Sequence, residues 1–366
     1  MSAAAKADAF ARILVICTRQ IGDVLLTTPL IRAVKARWPD AAIDVLGFVG
    51  TLGMLRGNGD VAALIEVPAG QGWWRSIELL RRIWRRYDLA LIAQYSDRAH
   101  LYGFAAAGRR SGLAFIGAKS WWKRRLLEHT VLLTEHQEHA VVEKLRLLEP
   151  WGLPQRATLS PPPAQALPDD VVAALRSPYV VVHVPSLVRY KQWPVEHFAA
   201  LVRALVARDV QVALSGGGSD ADRQLCAEVA RIAASPRLID LAGRLSLAQM
   251  AALLRGAAAY VGPDTSITHL AAACGTPVIA LYGPISPRLW GPWPGTAALA
   301  DPYADRALRQ AAGKVVVLQG PPPCVPCNQS GCENHVASRS VCLEILAPAR
   351  VADEALRAVF APAPAS

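Results

Sequence analysis

The stretch GPDTSITHLAAACGTPVIALYG, residues 262–283, reads as a turn, a helix from about Ser266 to Cys274, a tight turn and a strand over Val278–Leu281. The apolar run AAYVG (258–262) leads into it, so the unit is strand, helix, strand, the signature of a parallel sheet. The helix begins on small hydroxyl residues and holds His269 one turn in. Two readings stand. Asp264 or Thr265 is an N-cap and His269 is packed, or an anion sits on the helix N-terminus, where free N–H groups and the dipole favour negative charge.

Outward from this unit the pattern repeats. YVVVHV (179–184), VQVALSG (210–216) and RLIDLAG (237–243) read as strands, with helices over 195–209, 220–233 and 247–257 between or after them. The N-terminal half has the same alternation: ARILVICTR, then loop and helix over 21–41, AAIDVLGF, and DLALIAQY at 88–95. SPPPAQALPDD (160–170) is Pro-rich and reads as the linker. The expected fold is α/β: two Rossmann-like, doubly wound parallel-sheet domains over 1–165 and 166–345, facing a cleft at the strand carboxyl ends. A last helix and disordered end fill 346–366.

Hydrophobic residues make up 52% and charged residues 19%, which supplies two buried cores and argues against disorder. The chain has no apolar run of membrane-spanning length and no signal-peptide layout, so it is read as cytoplasmic. Net charge is +10, concentrated between Trp73 and Arg125, where 12 Lys/Arg face 3 Asp/Glu. Basic residues interleaved with Trp suit a membrane surface or a phosphorylated acceptor. The other reading is a solvated helix face over packed Trp. No nucleic-acid-binding motif supports an RNA or DNA partner.

Candidate chemistry falls in loops after strands. Asp23 stands at a strand-to-helix loop, as general base or as helix cap. Ser186, Arg189 and Lys191 are phosphate-binding types, or a solvated loop before Trp193-Pro194. In LSGGGSDADR, Gly217 lets a ligand approach the backbone, and Asp220 or Asp222 can take a ribose hydroxyl. Cys324, Cys327, Cys332 and Cys342 lie within 19 residues, with His335 among them: a thiolate site for structural zinc or iron, or a redox pair. Cys17, Cys226 and Cys274 sit in apolar patterns and read as core.

From about Ile13 to Val351 the chain resembles glycosyltransferase family 9, the heptosyltransferases of bacterial lipopolysaccharide core synthesis. The resemblance is carried by IGDVLLTTPLIRAVK, YKQWPVEHFAAL, LAGRLSLAQMAALL, GPDTSITHLAAACGTPVIALYGP and the Cys-rich tail, in that order. It implies a GT-B fold, an ADP-activated heptose donor bound in the C-terminal half, and inversion at the anomeric carbon with no cofactor or metal required for catalysis. It casts Asp23 as the base, Ser186 and Lys191 as diphosphate ligands, and Asp264, Thr265, Ser266 and His269 as the loop beside the donor phosphates. The family usually has Gly and Pro where Ser266 and Ile267 stand, and a Glu where this chain offers Asp220 or Asp222. Arg81, Arg82, Arg85 and Arg124 would hold a phosphorylated, lipid-linked acceptor, with the enzyme peripheral to the inner membrane. Two alternatives are a nucleotide-sugar epimerase of similar architecture and a non-catalytic nucleotide-binding or assembly protein.

Overall fold

The computed structural model describes residues 9–70, 73–117, 120–133 and 138–361, without the side chains of 73–76. Lys119 of the basic window and the expected disordered end at 362–366 lie outside the described residues. The chain divides into two compact units, 1–160 and 161–366.

The first unit runs β1 (Arg12–Cys17), α1 (Ile21–Leu25), α2 (Thr28–Arg37), β2 (Ala42–Phe48), β3 (Ala63–Val67), α3 (Trp73–Ile83), β4 (Tyr87–Ile92), α4 (Asp97–Ala106), β5 (Ala107–Phe115), α5 (Trp121–Leu126), β6 (His129–Leu133), α6 (Ala140–Leu145) and β7 (Arg156–Thr158). Its six-stranded sheet has the order β3-β2-β1-β4-β5-β6, parallel throughout. The chain direction therefore reverses between β1 and β4, and loops after those strands meet at the sheet's carboxyl edge.

The second unit runs α7 (Asp169–Ala174), β8 (Tyr179–His183), α8 (Val195–Val206), β9 (Gln211–Ser215), α9 (Asp220–Ala233), β10 (Leu238–Asp240), α10 (Leu247–Gly256), β11 (Ala259–Pro263), α11 (Ser266–Ala273), β12 (Val278–Tyr282), α12 (Pro287–Trp290), β13 (Thr296–Ala298), β14 (Arg309–Ala312), β15 (Val315–Gln319), α13 (Val341–Glu344) and α14 (Pro348–Phe360). Its sheet order is β10-β9-β8-β11-β12-β15-β14, parallel except for the antiparallel edge strand β14. Here the reversal lies between β8 and β11. Both units thus repeat the doubly wound order expected from the alternation of strands and helices.

The central strands β1, β2, β4, β8, β9, β11 and β12 are buried on both faces, as parallel strands covered by helices must be. Val180, Val182, Val212, Leu214, Val261, Ile279 and Leu281 form one core with Phe198 and Leu201 of α8 and Val351 and Ala355 of α14. Each large apolar side chain so buried contributes about 1.5–3 kcal/mol. Cys17 and Cys226 are buried and Cys274 is half-buried. Burial pushes the Cys17 thiol up to about 11, which suits packing rather than reactivity.

The loop and helix expected over 21–41 are two helices, α1 and α2. Thr27 Oγ1 donates to the Asp23 carbonyl (2.7 Å) and Thr28 Oγ1 to that of Leu25 (2.7 Å), and Pro29 has no N–H to continue the ladder. The Pro-rich linker docks on the second unit: Gln165 N–H donates to the Ala248 carbonyl (3.1 Å).

Candidate active site at the two switch points

In the second unit, the loops after β8 and β11 bring the predicted phosphate residues together. Lys191 Nζ lies 2.5 Å from Asp264 Oδ2, and the Asp264 side chain is only 8% exposed. Tyr282 Oη donates to Asp264 Oδ1 (3.3 Å), and His269 Nε2 stands 3.9 Å from the same oxygen. Burial, and then the Asp264 charge, push the Tyr282 phenol well above its ordinary range, so it stays a donor. A carboxylate placed like this holds the lysine in position as its counter-ion.

Thr265 is the N-cap of α11 in extended backbone, but its side chain makes no cap bond. Its Oγ1 meets Thr268 Oγ1 instead (3.2 Å), and Thr268 also meets the Tyr260 hydroxyl (2.8 Å). Thr265 and Ser266 are half-buried at a helix end whose first N–H groups carry no side-chain cap. Such an end attracts anions.

The loop that carries Ser186 and Lys191 is stapled by Gln192, a residue the sequence did not flag. Its Oε1 accepts from Ser186 N–H (3.0 Å), and its Nε2 donates to the carbonyls of Val184 (2.8 Å) and Trp193 (3.2 Å). The Cys-rich segment braces the same loop. Arg189 N–H donates to the Val336 carbonyl (3.2 Å), Ser340 Oγ to that of Tyr190 (2.6 Å) and Trp193 Nε1 to that of Leu346 (3.1 Å). It also reaches the loop after β12, where Asn328 N–H donates to the Pro284 carbonyl (2.7 Å) and its Oδ1 accepts from Ser286 N–H (3.0 Å).

Cys324, Cys327 and Cys332 are exposed and Cys342 is buried. Burial first, with small additions from the other three thiols, pushes Cys342 up to about 12 despite a backbone hydrogen bond at Leu343. The other three thiols are thus within electrostatic reach of Cys342. Among the described residues, however, no three His, Cys, Asp or Glu side chains are arranged to hold one ion.

The Gly-rich turn after β9 uses its glycines internally. A Cβ on Gly217 would fall 2.3 Å from Asp222 Oδ2. Gly243, at φ +71°, passes so near Gly218 that a Cβ would lie 3.1 Å from its Cα. Ser219 caps α9 by accepting from Asp222 N–H (3.1 Å), and Asp220 is exposed and paired with Arg223 (2.6 Å).

In the first unit, Asp23 lies in the first turn of α1. The N-cap is Gln20, with no side-chain cap bond, so the alternative of Asp23 as the cap is not realised. Its carboxylate, 11% exposed, faces Arg19 across 3.4 Å. Arg19 Nη1 donates to Tyr95 Oη (3.0 Å) in the loop after β4.

In the basic window α3 turns Leu79 and Ile83 into the core and leaves Arg81, Arg82, Arg85 and Arg86 exposed. Trp84 and Trp121 are 54% and 57% exposed, so the reading of packed Trp fails for these two. α3 and α5 both pack on α4, which adds Leu101 and Phe104 to the exposed apolar set. Part of the charge surplus is structural: Arg109 is bidentate to Glu128 (2.9 and 2.8 Å), and Lys123 pairs with Asp97 (2.6 Å) and the Tyr95 carbonyl (2.7 Å). Arg124 is half-buried.

A sequence model of the family Glycosyltransferase family 9 (heptosyltransferase) matches residues 76–300. Lipopolysaccharide heptosyltransferase 3 of Escherichia coli is 31% identical over 290 residues, covering 74% of this chain and 83% of that protein. The structure of E. coli ADP-heptose lps heptosyltransferase II superposes with a TM-score of 0.70 at 24% identity, covering 95% of this chain and 98% of that one. E. coli heptosyltransferase WaaC with ADP gives a TM-score of 0.68 at 21% identity, over 95% and 99%. These neighbours are GT-B proteins, and the two doubly wound units described above have that fold.

Proposed function

The chain belongs to glycosyltransferase family 9 and is a glycosyltransferase of the heptosyltransferase kind, and from that premise we propose that it moves a heptose from an ADP-activated donor to a lipopolysaccharide-core or similar phosphorylated glycan acceptor. Asp23 takes the proton from the acceptor hydroxyl as that oxygen attacks the anomeric carbon. The C–O bond to ADP breaks in the same displacement, which inverts the configuration, and the departing diphosphate gains negative charge. Lys191, Ser186 and the start of α11 at Thr265 and Ser266 stabilise that charge, which is where preorganised donors count most. Asp264 and His269 hold Lys191 and its surroundings in place. Asp222, turned onto Gly217, is the nearer candidate for a ribose hydroxyl than the exposed Asp220.

The observation that carries this reading is the Lys191–Asp264 pair beside a helix N-terminus without a side-chain cap, at a switch point, in a chain of this family. Incubation with ADP-heptose and a truncated core acceptor tests it. The acceptor is expected to gain one heptosyl residue by mass; an unmodified acceptor from several core truncations would overturn the reading.

The acceptor is met at an anionic membrane surface. The support is the exposed set Trp84, Leu101, Phe104 and Trp121 among Arg81, Arg82, Arg85 and Arg86. No helix among the described residues is long and apolar enough to cross a membrane. Attraction is worth about 1 kcal/mol per Lys or Arg near the surface, which gives weak, salt-sensitive binding. Changing those four arginines to Glu is expected to abolish co-sedimentation with anionic vesicles and raise KM for a phosphorylated acceptor, with ADP binding intact. Unchanged sedimentation and KM would make this face an ordinary solvated surface.

A structural zinc or iron at Cys324, Cys327, Cys332 and Cys342 is also proposed, on their spacing in the sequence. Elemental analysis of protein purified under reducing conditions is expected to give close to one ion per chain. Cys324→Ser should lower Tm more than kcat. Metal-free protein of unchanged Tm would contradict the site.

A further inference from the structure

The first unit's switch point carries an arrangement that neither the motif nor the fold calls for. β1 and β4 are paired neighbours, with Ile16 opposite Ile92, so the loops after them lie side by side. Arg19 comes from one and Tyr95 from the other. Arg19 Nη1 donates to Tyr95 Oη at 3.0 Å, and its Cζ stands 5.7 Å from the Tyr95 ring centroid. The anchor is itself fixed. The Tyr95 ring packs edge-on against Phe115 at the end of β5, centroids 4.6 Å apart, and its carbonyl accepts from Lys123 Nζ at 2.7 Å. On its other side Arg19 reaches Asp23, with Nε 3.4 Å from Oδ1.

We propose that Arg19 is the positioning residue for Asp23: anchored on Tyr95, its guanidinium keeps the carboxylate aimed for the acceptor hydroxyl. The proposal rests on the reading of Asp23 as the base. The 3.4 Å separation is longer than the 2.7–2.9 Å of a tight charged hydrogen bond, so the carboxylate is oriented without being tied up. The side chains are 32% and 11% exposed, so the pair is only partly screened. Burial opposes the charge on Arg19, but Asp23 and Tyr95 outweigh it and hold the guanidinium above its ordinary range.

The other groups facing this pair are few among the described residues. Cys17, on β1, senses both Asp23 and Arg19, and its thiol stays neutral. Lys144, on α6, acts on Cys17, while burial holds its neighbour Glu143 above the usual carboxylate range against the pull of Lys144 and Arg19. Arg19 is therefore the cation in direct contact with Asp23.

The experiment is the split of kcat from KM for the full chain with ADP-heptose and a truncated core acceptor, in Arg19→Gln, Arg19→Lys, Tyr95→Phe and Asp23→Asn. Arg19→Gln is expected to lower kcat about tenfold, the scale of a misplaced catalytic group, with KM for the donor unmoved. Arg19→Lys should restore kcat in part, because lysine returns the charge without the fork. Tyr95→Phe keeps the ring packing on Phe115 and should lower kcat about threefold, the share expected of one lost hydrogen bond. An unchanged kcat in Arg19→Gln, or a loss that Lys does not rescue, overturns the proposal while an inactive Asp23→Asn keeps the base reading intact. An active Asp23→Asn overturns the base reading itself, and this proposal with it.

Discussion

Asp23→Asn is expected to keep the fold and the affinity for ADP and to lose about 10²–10⁴ in kcat, the usual worth of a general base. The structure makes this substitution clean. Asp23 caps no helix, because α1 begins at Ile21 on an N-cap, Gln20, that makes no side-chain bond. Asn has the same shape, and what it forfeits in stability is the single ion pair with Arg19, worth about 1 kcal/mol or less. A large loss of rate with an unchanged melting curve therefore reports chemistry. Retention of most of the activity with a good acceptor would reduce Asp23 to the Arg19 pairing alone.

Lys191→Ala is the second large effect. It removes the cation proposed to face the diphosphate, so ADP affinity is expected to fall by about 1.5–3 kcal/mol, or about 10- to 150-fold. It also strips the counter-ion from Asp264, whose side chain is 8% exposed. Breaking one side of a buried pair costs about 3–5 kcal/mol, and the 23% exposure of Lys191 puts the expectation at the low end or below. Tm should fall as well. Asp264→Asn separates the two effects. It keeps the lysine's charge and loses only its anchor, so calorimetry should find ADP bound more tightly than in Lys191→Ala. Unchanged ADP affinity in Lys191→Ala would move the donor elsewhere.

The β–α–β alternation and the residues at loop positions could be read from sequence because parallel strands are continuous apolar runs. β3, β5 and β6 in the first sheet and β14 and β15 in the second escaped that reading. β5 opens with Ala-Gly-Arg-Arg, and the arginines are compensated by Glu128 and by carbonyls that only the folded chain supplies. Lys191 and Asp264 were both legible as site residues, but their pairing was not. They are 73 positions apart and meet because β8 and β11 are neighbours. Arg19 had a local signal in its four-residue spacing from Asp23, whereas Tyr95 had none, since its role depends on β4 lying beside β1. The exposed Leu101 and Phe104 of α4 were hidden for the opposite reason: an apolar residue in a helix reads as core until the packing shows its other face. Gln192 looks like any loop glutamine until its three backbone partners are seen.

The proposed reaction is a single inverting displacement that needs the acceptor. The most direct measurement follows ADP-heptose consumption, ADP release and the anomeric configuration of the product by NMR, with and without a truncated core acceptor. The expected result is one ADP per heptosyl linkage formed, a linkage of the anomeric configuration opposite to the donor's, and no donor turnover when the acceptor is left out. Conversion of the donor to another sugar nucleotide without acceptor, or a product that retains the donor's configuration, would contradict it.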